Sequence, residues 1–77
     1  MEHNDLALLF LASFRNKLKS LRQENQLSQK VVAAKMGIPV STYANWEQGR
    51  TEPNLYDLYR LIKLFDIDAN ELFEFHP

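Results

Sequence analysis

The stretch Ser28–Arg50, SQKVVAAKMGIPVSTYANWEQGR, contains two short helical segments on either side of the turn Met36-Gly37-Ile38-Pro39, and the second ends at Gly49. Apolar residues recur at helical spacing in both segments and can face one side. They are Val32, Ala33 and Met36 in the first segment, and Tyr43 and Trp46 in the second, with Thr42 at the edge. Two helices of about eight residues, joined by a turn of three or four, form a helix-turn-helix.

The other face of the second segment carries small or hydrogen-bonding side chains. They are Val40, Ser41, Ala44, Asn45 and Gln48. A face of this kind suits an approach to base edges in the major groove of DNA and is poorly suited to burial. Tyr43 and Trp46, in contrast, are expected in the core rather than at a ligand.

Length and composition limit the remaining possibilities. A chain of 77 residues is one domain, 1–77, and is stable only if nearly every helix buries an apolar stripe. The absence of cysteine excludes a disulfide framework and a thiolate metal site. The longest apolar run, Leu6–Ala12, is far shorter than the roughly 20 residues of a membrane span, and no basic flank precedes it. We therefore expect a cytoplasmic protein without a membrane partner, a metal or another cofactor.

Charge is unevenly distributed along the chain, although the net charge is only −1. From Arg15 to Arg50 there are seven basic and two acidic residues, a net charge of +5. From Thr51 to Pro77 there are two basic and six acidic residues, a net charge of −4. A positive block on the helix-turn-helix and the helix before it is expected of a surface that contacts phosphates. The alternative is an ordinary solvated helix face.

A long first helix is predicted from about Asp5 to Asn25, with Asn4 or Asp5 as its N-cap. Its apolar positions follow helical spacing: Leu6, Leu9, Phe10, Phe14, Leu18 and Leu21. Residues 1–13 form an extension that is apolar nearly all round, and such a helix needs partners on more than one side. The extension therefore forms part of a dimer interface, with Leu8, Leu11 and their neighbours, or it folds back onto its own bundle.

Local signals set the ends of the two central helices. Ser28 is an N-cap for the second helix, Gly37 supplies a left-handed position at its end, and Pro39 prevents its continuation. Because Pro39 favours extended geometry in the residue before it, Ile38 can turn inward as the apolar plug of the turn. The third helix starts with Pro39 near its first position, or slightly later with Ser41 as its cap.

Two further helices follow the loop after Gly49. Asn54 with Asp57 resembles a capping box for the fourth helix, and Asp68 with Glu71 repeats the pattern before a short fifth helix. The fourth helix has a predicted buried stripe of Leu55, Leu58, Tyr59, Leu61, Ile62 and Phe65. No strand, repeat or low-complexity tract is evident, so the predicted fold class is all-α.

The same residues carry a family resemblance. They are Gln29, Ala33, Gly37, Ile38, the run Tyr43–Arg50 (YANWEQGR) and Pro53. In this combination the chain resembles the Cro/CI-type helix-turn-helix family, also called the xenobiotic-response-element class. The resemblance covers the predicted core, residues 14–73. It implies a five-helix, lambda-repressor-like bundle that binds double-stranded DNA, usually as a homodimer on a two-fold operator, and represses or activates transcription.

The resemblance assigns functions to individual residues. Gln29 matches a position that contacts phosphate and sometimes a base, and a helix N-terminus favours an anionic oxygen. Val40, Ser41 and Asn45 match base-reading positions of a recognition helix at about residues 40–48, and Thr42 matches a phosphate or base contact. The amide of Asn45 can pair with the N6/N7 edge of adenine, and Val40 can contact a thymine methyl.

Further residues match positions around that helix. Gln48 and Arg50 match residues that approach the DNA backbone, and Arg22 with Glu47 matches an ion pair between the first and third helices. The chain departs from the family pattern in two ways. Pro39 stands where Ser or Thr normally caps the recognition helix, which would shift the helix start by one residue. No Lys or Arg precedes Arg50 in that helix, so recognition of guanine from within it is not expected.

Three classes of function compete. The first is a sequence-specific DNA-binding transcriptional regulator of bacterial or phage origin, and among regulators a repressor is expected. The second is a protein-interaction module on the same fold, such as an antitoxin, favoured by the acidic tail and the apolar extension. The third is an enzyme, which the sequence disfavours because paired catalytic groups and metal-ligand spacing are absent.

Overall fold

The computed structural model describes residues 3–77, with side chains from Asp5 onward. This range contains helices and no strand, as the sequence predicted. The five helices are α1 (His3–Glu24), α2 (Gln29–Met36), α3 (Val40–Gln48), α4 (Leu55–Phe65) and α5 (Ala69–Phe73). The predicted N-cap at Asn4 or Asp5 is wrong, because both residues already lie inside α1. No helix in the described range is long and apolar enough to cross a membrane.

The predicted start of α2 and the predicted C-terminal ends of α2 and α3 are confirmed. The Ser28 hydroxyl accepts a hydrogen bond from the Val31 backbone N–H at 3.1 Å, which caps α2. Gly37 (φ +69°) ends α2 and Gly49 (φ +77°) ends α3, both in the left-handed conformation. A residue with a Cβ adopts this conformation at a cost, so glycine is favoured at both positions. Between them, Ile38 packs against the core as predicted.

The later helices also begin at their predicted caps. The Asn54 side chain accepts a hydrogen bond from the Asp57 N–H at 2.8 Å, and Asp68 accepts one from the Asn70 N–H at 2.8 Å. Asp66 ends α4 in the left-handed conformation, which Asp tolerates better than most residues. These caps fix the lengths of α4 and α5 by satisfying terminal backbone groups.

The core lies where α1, α2 and α3 meet, closed by α4 and α5. Its residues come from all five helices, and α2 and α3 pack directly on each other. The buried apolar residues are Phe14, Leu18, Leu21, Val32, Ala33, Met36, Tyr43, Trp46, Leu61, Phe65 and Leu72. This packing holds α3 by one face and leaves its other face outward.

The predicted apolar stripe of α1 is buried only in its second half. Leu18 and Leu21 are buried, whereas Leu6 and Leu9 are 36% and 44% exposed. The first turns of α1 extend beyond the bundle, so nothing in the described chain covers them fully. Leu8 is 65% exposed and Leu11 is half-buried. Helical spacing therefore identified apolar positions correctly but could not indicate where the bundle ends.

The first helix does not fold back, since it is unbroken from His3 to Glu24. The C-terminal residues pack on it instead. The Phe10 ring lies 6.5 Å from the Phe73 ring and 5.6 Å from the Phe75 ring, measured between centroids. One side of the extension is thus covered at Phe10, and the side that carries Leu8 is not.

The predicted stripe of α4 is wrong at two positions. Leu61 and Phe65 are buried and Ile62 packs beside them, but Leu55 is 83% exposed and Tyr59 is 55% exposed. Because successive residues of a helix are rotated by about 100°, Leu55 and Tyr59 point away from the side of α4 that faces the core. They form an apolar face on the outside of the molecule.

Candidate nucleic-acid interface

The start of α3 decides which side chains point outward. Pro39 is the N-cap, with φ −61° and ψ 145°, and α3 begins at Val40. The Pro39 carbonyl accepts hydrogen bonds from the backbone N–H groups of Thr42 (3.1 Å) and Tyr43 (3.3 Å). Proline suits this position because its fixed φ is compatible with a cap and its missing N–H is not needed there.

The predicted recognition helix, at about residues 40–48, matches α3 (Val40–Gln48), but both predicted ways of starting it are wrong by one or two residues. Pro39 is not the first helical residue, and Ser41 lies inside the helix rather than at its cap. Pro39 occupies the N-cap position that Ser or Thr has in the family pattern, so the start of the recognition helix is not shifted. Pro39 lacks a side-chain acceptor, so no side chain caps the start of α3.

The predicted base-reading residues share the outward side of α3. Val40 is 46% exposed, Ser41 and Gln48 are exposed, and Asn45 is half-buried. Ser41, Asn45 and Gln48 are four and three residues apart, so they form one row along the helix. Thr42, also half-buried, borders this row. The structure thus brings five predicted residues of α3 together on one surface.

The opposite side of α3 is fixed in the core. Tyr43 is fully buried and Trp46 is 3% exposed, as predicted, and their rings meet edge to face with centroids 5.9 Å apart. Because these two aromatic side chains are held by packing, α3 cannot rotate without disrupting the core. The outward row is therefore presented in a fixed orientation.

The predicted ion pair between α1 and α3 is present. Arg22 donates from Nε to Glu47 Oε2 at 2.7 Å and from Nη2 to Glu47 Oε1 at 3.0 Å. A third bond, from Arg22 Nη1 to the Leu27 carbonyl at 3.0 Å, fixes the guanidinium in the loop before α2. The Glu47 side chain is only 3% exposed. This bidentate ion pair connects α1, the loop before α2 and α3.

Two further donors converge on the Glu47 carboxylate. Tyr43 donates its hydroxyl hydrogen to Oε2, and Gln29 donates from Nε2 to Oε1 at 3.0 Å. Sequence reasoning placed Tyr43 in the core for its ring alone and did not foresee this bond. Tyr43 and Glu47 are four residues apart in a helix, a spacing that could have indicated it.

The network shifts three ionisation equilibria. Burial alone would raise the pKa of Glu47, but hydrogen bonds from Arg22, Tyr43 and Gln29 outweigh it, and the pKa is lowered. Burial and the bond to Glu47 raise the pKa of Tyr43 well above its ordinary value. The bond to Glu47 raises the pKa of Arg22. Glu47 is therefore ionised and Tyr43 neutral at neutral pH.

Gln29 is placed at the first turn of α2, directly after its N-cap, and is half-buried. Its amide is not free to turn, because Nε2 is held by Glu47. Sequence reasoning gave Gln29 a contact with DNA but no contact within the protein. The bond to Glu47 links this position to α3, so the two helices present their outward groups as one unit.

Two arginines lie at the end of α3. Arg50 is exposed, directly after Gly49. The Arg15 side chain of α1 covers Gly49 so closely that a Cβ there would lie 2.9 Å from Arg15 Nη1. A cation at a helix C-terminus is favourable because unpaired carbonyls concentrate negative charge there. Sequence reasoning counted Arg15 only as part of the positive block and did not predict this contact.

The described chain offers no metal-binding alternative. Among the described residues, no three of His, Asp or Glu are grouped so that they could hold a metal ion. The outward side of α3 instead combines a row of hydrogen-bonding side chains with the exposed Arg50 directly after the helix. That combination suits a polyanion with hydrogen-bonding edges.

Comparisons with known proteins agree with this geometry. A helix-turn-helix family profile matches residues 18–72, most of the chain. The cryptic phage CTXphi transcriptional repressor RstR of Vibrio cholerae is 34% identical over 59 residues, which cover 77% of this chain and 53% of that protein. The HTH-type transcriptional regulator AnsR of Bacillus subtilis is 39% identical over 57 residues, covering 74% and 49%.

A shorter relative is matched over nearly its whole length. The uncharacterised HTH-type transcriptional regulator MJ0272 of Methanocaldococcus jannaschii is 30% identical over 59 residues, covering 77% of this chain and 89% of that protein. The chain spans about half the length of RstR and AnsR. No solved structure gives a significant match. The five helices leave one side of α3 facing outward. The chain belongs to the Cro/CI-type helix-turn-helix family of DNA-binding transcriptional regulators, which are not enzymes.

Proposed function

We propose that the chain is a sequence-specific repressor that binds double-stranded DNA with α3 in the major groove. The observation that carries the proposal is the row of Ser41, Asn45 and Gln48, outward on a helix whose other side is fixed by buried Tyr43 and Trp46. A rigid helix with a free polar row is what direct readout of base edges requires. We also propose that the protein is of bacterial or phage origin.

The outward residues divide by chemistry into base contacts and backbone contacts. Asn45 reads adenine through its amide, and Val40 contacts a thymine methyl, with Ser41 hydrogen-bonding beside them. Thr42, Gln29, Gln48 and Arg50 surround these residues and contact phosphates or base edges at the rim. The complete proposed DNA-binding set is Gln29, Val40, Ser41, Thr42, Asn45, Gln48 and Arg50.

Gln29 reaches the DNA from a fixed position. With one amide hydrogen directed at Glu47, the second amide hydrogen and the backbone N–H at the start of α2 are the donors that can meet a phosphate. Contacts of this kind set the register of the protein on the duplex without reading sequence. Glu47 thereby acts as a positioning residue for Gln29.

The DNA-bound form is a homodimer on a two-fold operator. Two recognition helices enter successive major grooves when half-sites lie about 34 Å apart. The N-terminal extension supports dimerisation, since Leu8 is 65% exposed on a helix end that the described chain leaves uncovered. Leu11 and its neighbours border it. Repression follows when such a dimer occupies a promoter, and the relative RstR is a transcriptional repressor.

A second candidate function is protein interaction, as in an antitoxin. The observation that favours it is the exposed apolar set of Leu8, Leu55, Tyr56 and Tyr59, which a DNA contact does not need. The two functions differ in their response to salt. Binding through phosphates weakens steeply with salt because counterions are released, whereas binding through apolar groups does not.

The test is a selection from random duplex oligonucleotides, followed by titrations of the selected duplex at several salt concentrations. We expect an enriched two-fold motif and a linear fall of log affinity with log salt. Arg50→Gln should reduce the slope by about 1, and Lys17→Gln, on α1 beside the C-terminal segment, should leave it unchanged. No enriched motif, or a flat salt response, would contradict the proposal and favour the protein partner.

A further inference from the structure

The exposed apolar residues form one connected surface. The α4 face, defined as Leu55, Tyr56 and Tyr59, borders a groove floored by Leu58 and Phe73. The same two residues line a second groove with Phe10, Leu11, Phe14 and Pro53. This groove leads to Leu8 on the extension through the shared residues Leu11 and Phe14. The surface therefore runs from the N-terminal arm, defined as residues 5–13, across the molecule to α4.

The area of this surface is close to what one side of a specific interface needs. Five large apolar residues on it are between 37% and 83% exposed. With full areas of about 180 Å² for leucine and about 220 Å² for an aromatic residue, they expose roughly 600 Å² together. The largest apolar patch on a typical monomer is about 300–600 Å², and one partner in a standard interface contributes about 800 Å². The residues are Leu8, Leu55, Tyr56, Tyr59 and Phe73.

Charge indicates which element covers the α4 face. Residues 1–14 contain two acidic residues and neither Lys nor Arg. The α4 face carries two cations over its aromatic rings: Arg60 lies 5.4 Å from the Tyr56 centroid and Lys63 lies 5.6 Å from the Tyr59 centroid. Arg60 already pairs with Asp57 on α4 at 3.5 Å, so the acidic end of the apolar arm is matched to Lys63 on this face. The chain thus carries both halves of a complementary pair.

We propose that, in the dimer, the arm of each protomer packs on the α4 face of the other. Within one protomer the arm is part of the unbroken α1 and is covered at Phe10 by Phe73 and Phe75, whereas Leu8 and the α4 face stay exposed. A two-fold axis buries both surfaces in each protomer, because the arm of one copy contacts the α4 face of its partner and the reverse contact is identical. The recognition row on α3 is not used.

This inference rests on the proposed dimer and not on DNA binding. Both surfaces lie outside the row of Ser41, Asn45 and Gln48, so dimerisation can be measured without DNA. At roughly 600 Å² on each side the interface is at the small end, and we expect a dimer that dissociates at micromolar concentrations. DNA-binding titrations of the same protein test the proposed function separately.

Disulfide trapping tests the contact directly, because the chain contains no cysteine. Leu8→Cys and Tyr59→Cys are prepared as separate proteins, one of them isotope-labelled, then mixed and oxidised. We expect a mixed disulfide dimer, identified by its mass. The matched control is a mixture of Leu8→Cys with Lys19→Cys, whose thiol lies on the exposed second half of α1. The control should give no more mixed dimer than random collision.

Two outcomes would overturn the inference. Efficient Leu8→Cys homodimers with no mixed dimer would show that the arms meet each other rather than α4. A monomer in sedimentation at a few hundred micromolar would exclude the dimer itself. Sedimentation of non-covalent variants provides the second measurement: Leu8→Gln and Tyr59→Gln should each weaken association at least tenfold. Val31→Gln, which alters an exposed apolar residue on α2, should leave it unchanged.

Discussion

Replacing Glu47 by glutamine removes the charge on which the α1–α3 network depends and keeps the size of the side chain. Its carboxylate accepts four hydrogen bonds, two from Arg22 and one each from Tyr43 and Gln29. Each oxygen accepts one bond from Arg22, so either orientation of the new amide places its NH₂ group against an arginine donor. Hydrogen bonds to charged groups contribute about 1.5–3 kcal/mol and neutral ones about 0.5–1.5 kcal/mol.

From these values Glu47→Gln should lower the free energy of unfolding by about 2–4 kcal/mol. The lower part of this range is expected because the Arg22 side chain is 13% exposed and can turn partly to water. A chain of this length has a total stability of about 4–12 kcal/mol, so most of the range leaves the variant folded. The melting temperature should fall by roughly 8–32 °C, at about 4–8 °C per kcal/mol.

Urea unfolding at neutral pH, followed by the fluorescence of the single tryptophan, Trp46, measures this change. The matched control is Glu52→Gln, which removes the same charge from an exposed side chain and should change stability by less than about 0.5 kcal/mol. In both variants the free energy of unfolding should fall with urea concentration at the same slope as in the wild type. A loss for Glu47→Gln no larger than that of the control would refute the reasoning and place the network among weak surface pairs.

Three further predictions follow from the same contacts. Because the folded-state pKa of Glu47 is lowered, its contribution is present above the ordinary value of 4.5 and is lost as pH falls below it, so the wild type and Glu47→Gln should converge in acid urea titrations. The folded-state pKa of Tyr43 is raised, so its contribution is lost as pH rises above 10.0, and Tyr43→Phe should flatten the alkaline limb of the stability profile; an unchanged limb would contradict this. Gly49→Ala should lower stability by about 1–2 kcal/mol through its positive φ and the approach of Arg15, more than Gly37→Ala, where the nearest side-chain atom is 4.0 Å away, and Arg15→Ala should remove the difference in thermal melts.

Local chemistry made the helix-turn-helix predictable from sequence. Ser28, Gly37 and Gly49 each act on neighbouring backbone groups, so their effect does not depend on the rest of the fold. The start of α3 was harder to predict. Proline is acceptable both at the cap and at the first helical position, and only the coordinates distinguish the two. The one-residue error at Pro39 reflects that similarity.

Burial was predicted correctly only where helices meet. Helical spacing located the apolar residues of α4, but Leu55 and Tyr59 proved exposed because no second element packs on that side. The same holds for Leu6 and Leu9 on α1. A periodic pattern shows that a side chain is apolar and does not show whether its partner lies in the same chain. The excess apolar residues are consistent with a second copy.

Contacts between distant residues were partly predictable. The pair of Arg22 and Glu47 was expected from the family resemblance, and it is present. The bond from Gln29 to Glu47 and the cover of Gly49 by Arg15 depend on how α1, α2 and α3 pack, which no local pattern specifies. The proposed DNA contacts of α3 remain predictions, since they concern a partner outside the chain.

The most direct test of the central claim, that the outward row of α3 reads base edges, is binding of Asn45→Ala to the selected duplex and to its single-base-pair variants. Fluorescence anisotropy should show a loss of about 1–3 kcal/mol at one base pair, with indifference to substitution there and unchanged discrimination elsewhere. Asn16→Ala, an exposed amide on α1, serves as the control and should match the wild type. Equal losses on every sequence, or full affinity with unaltered preference, would contradict the account.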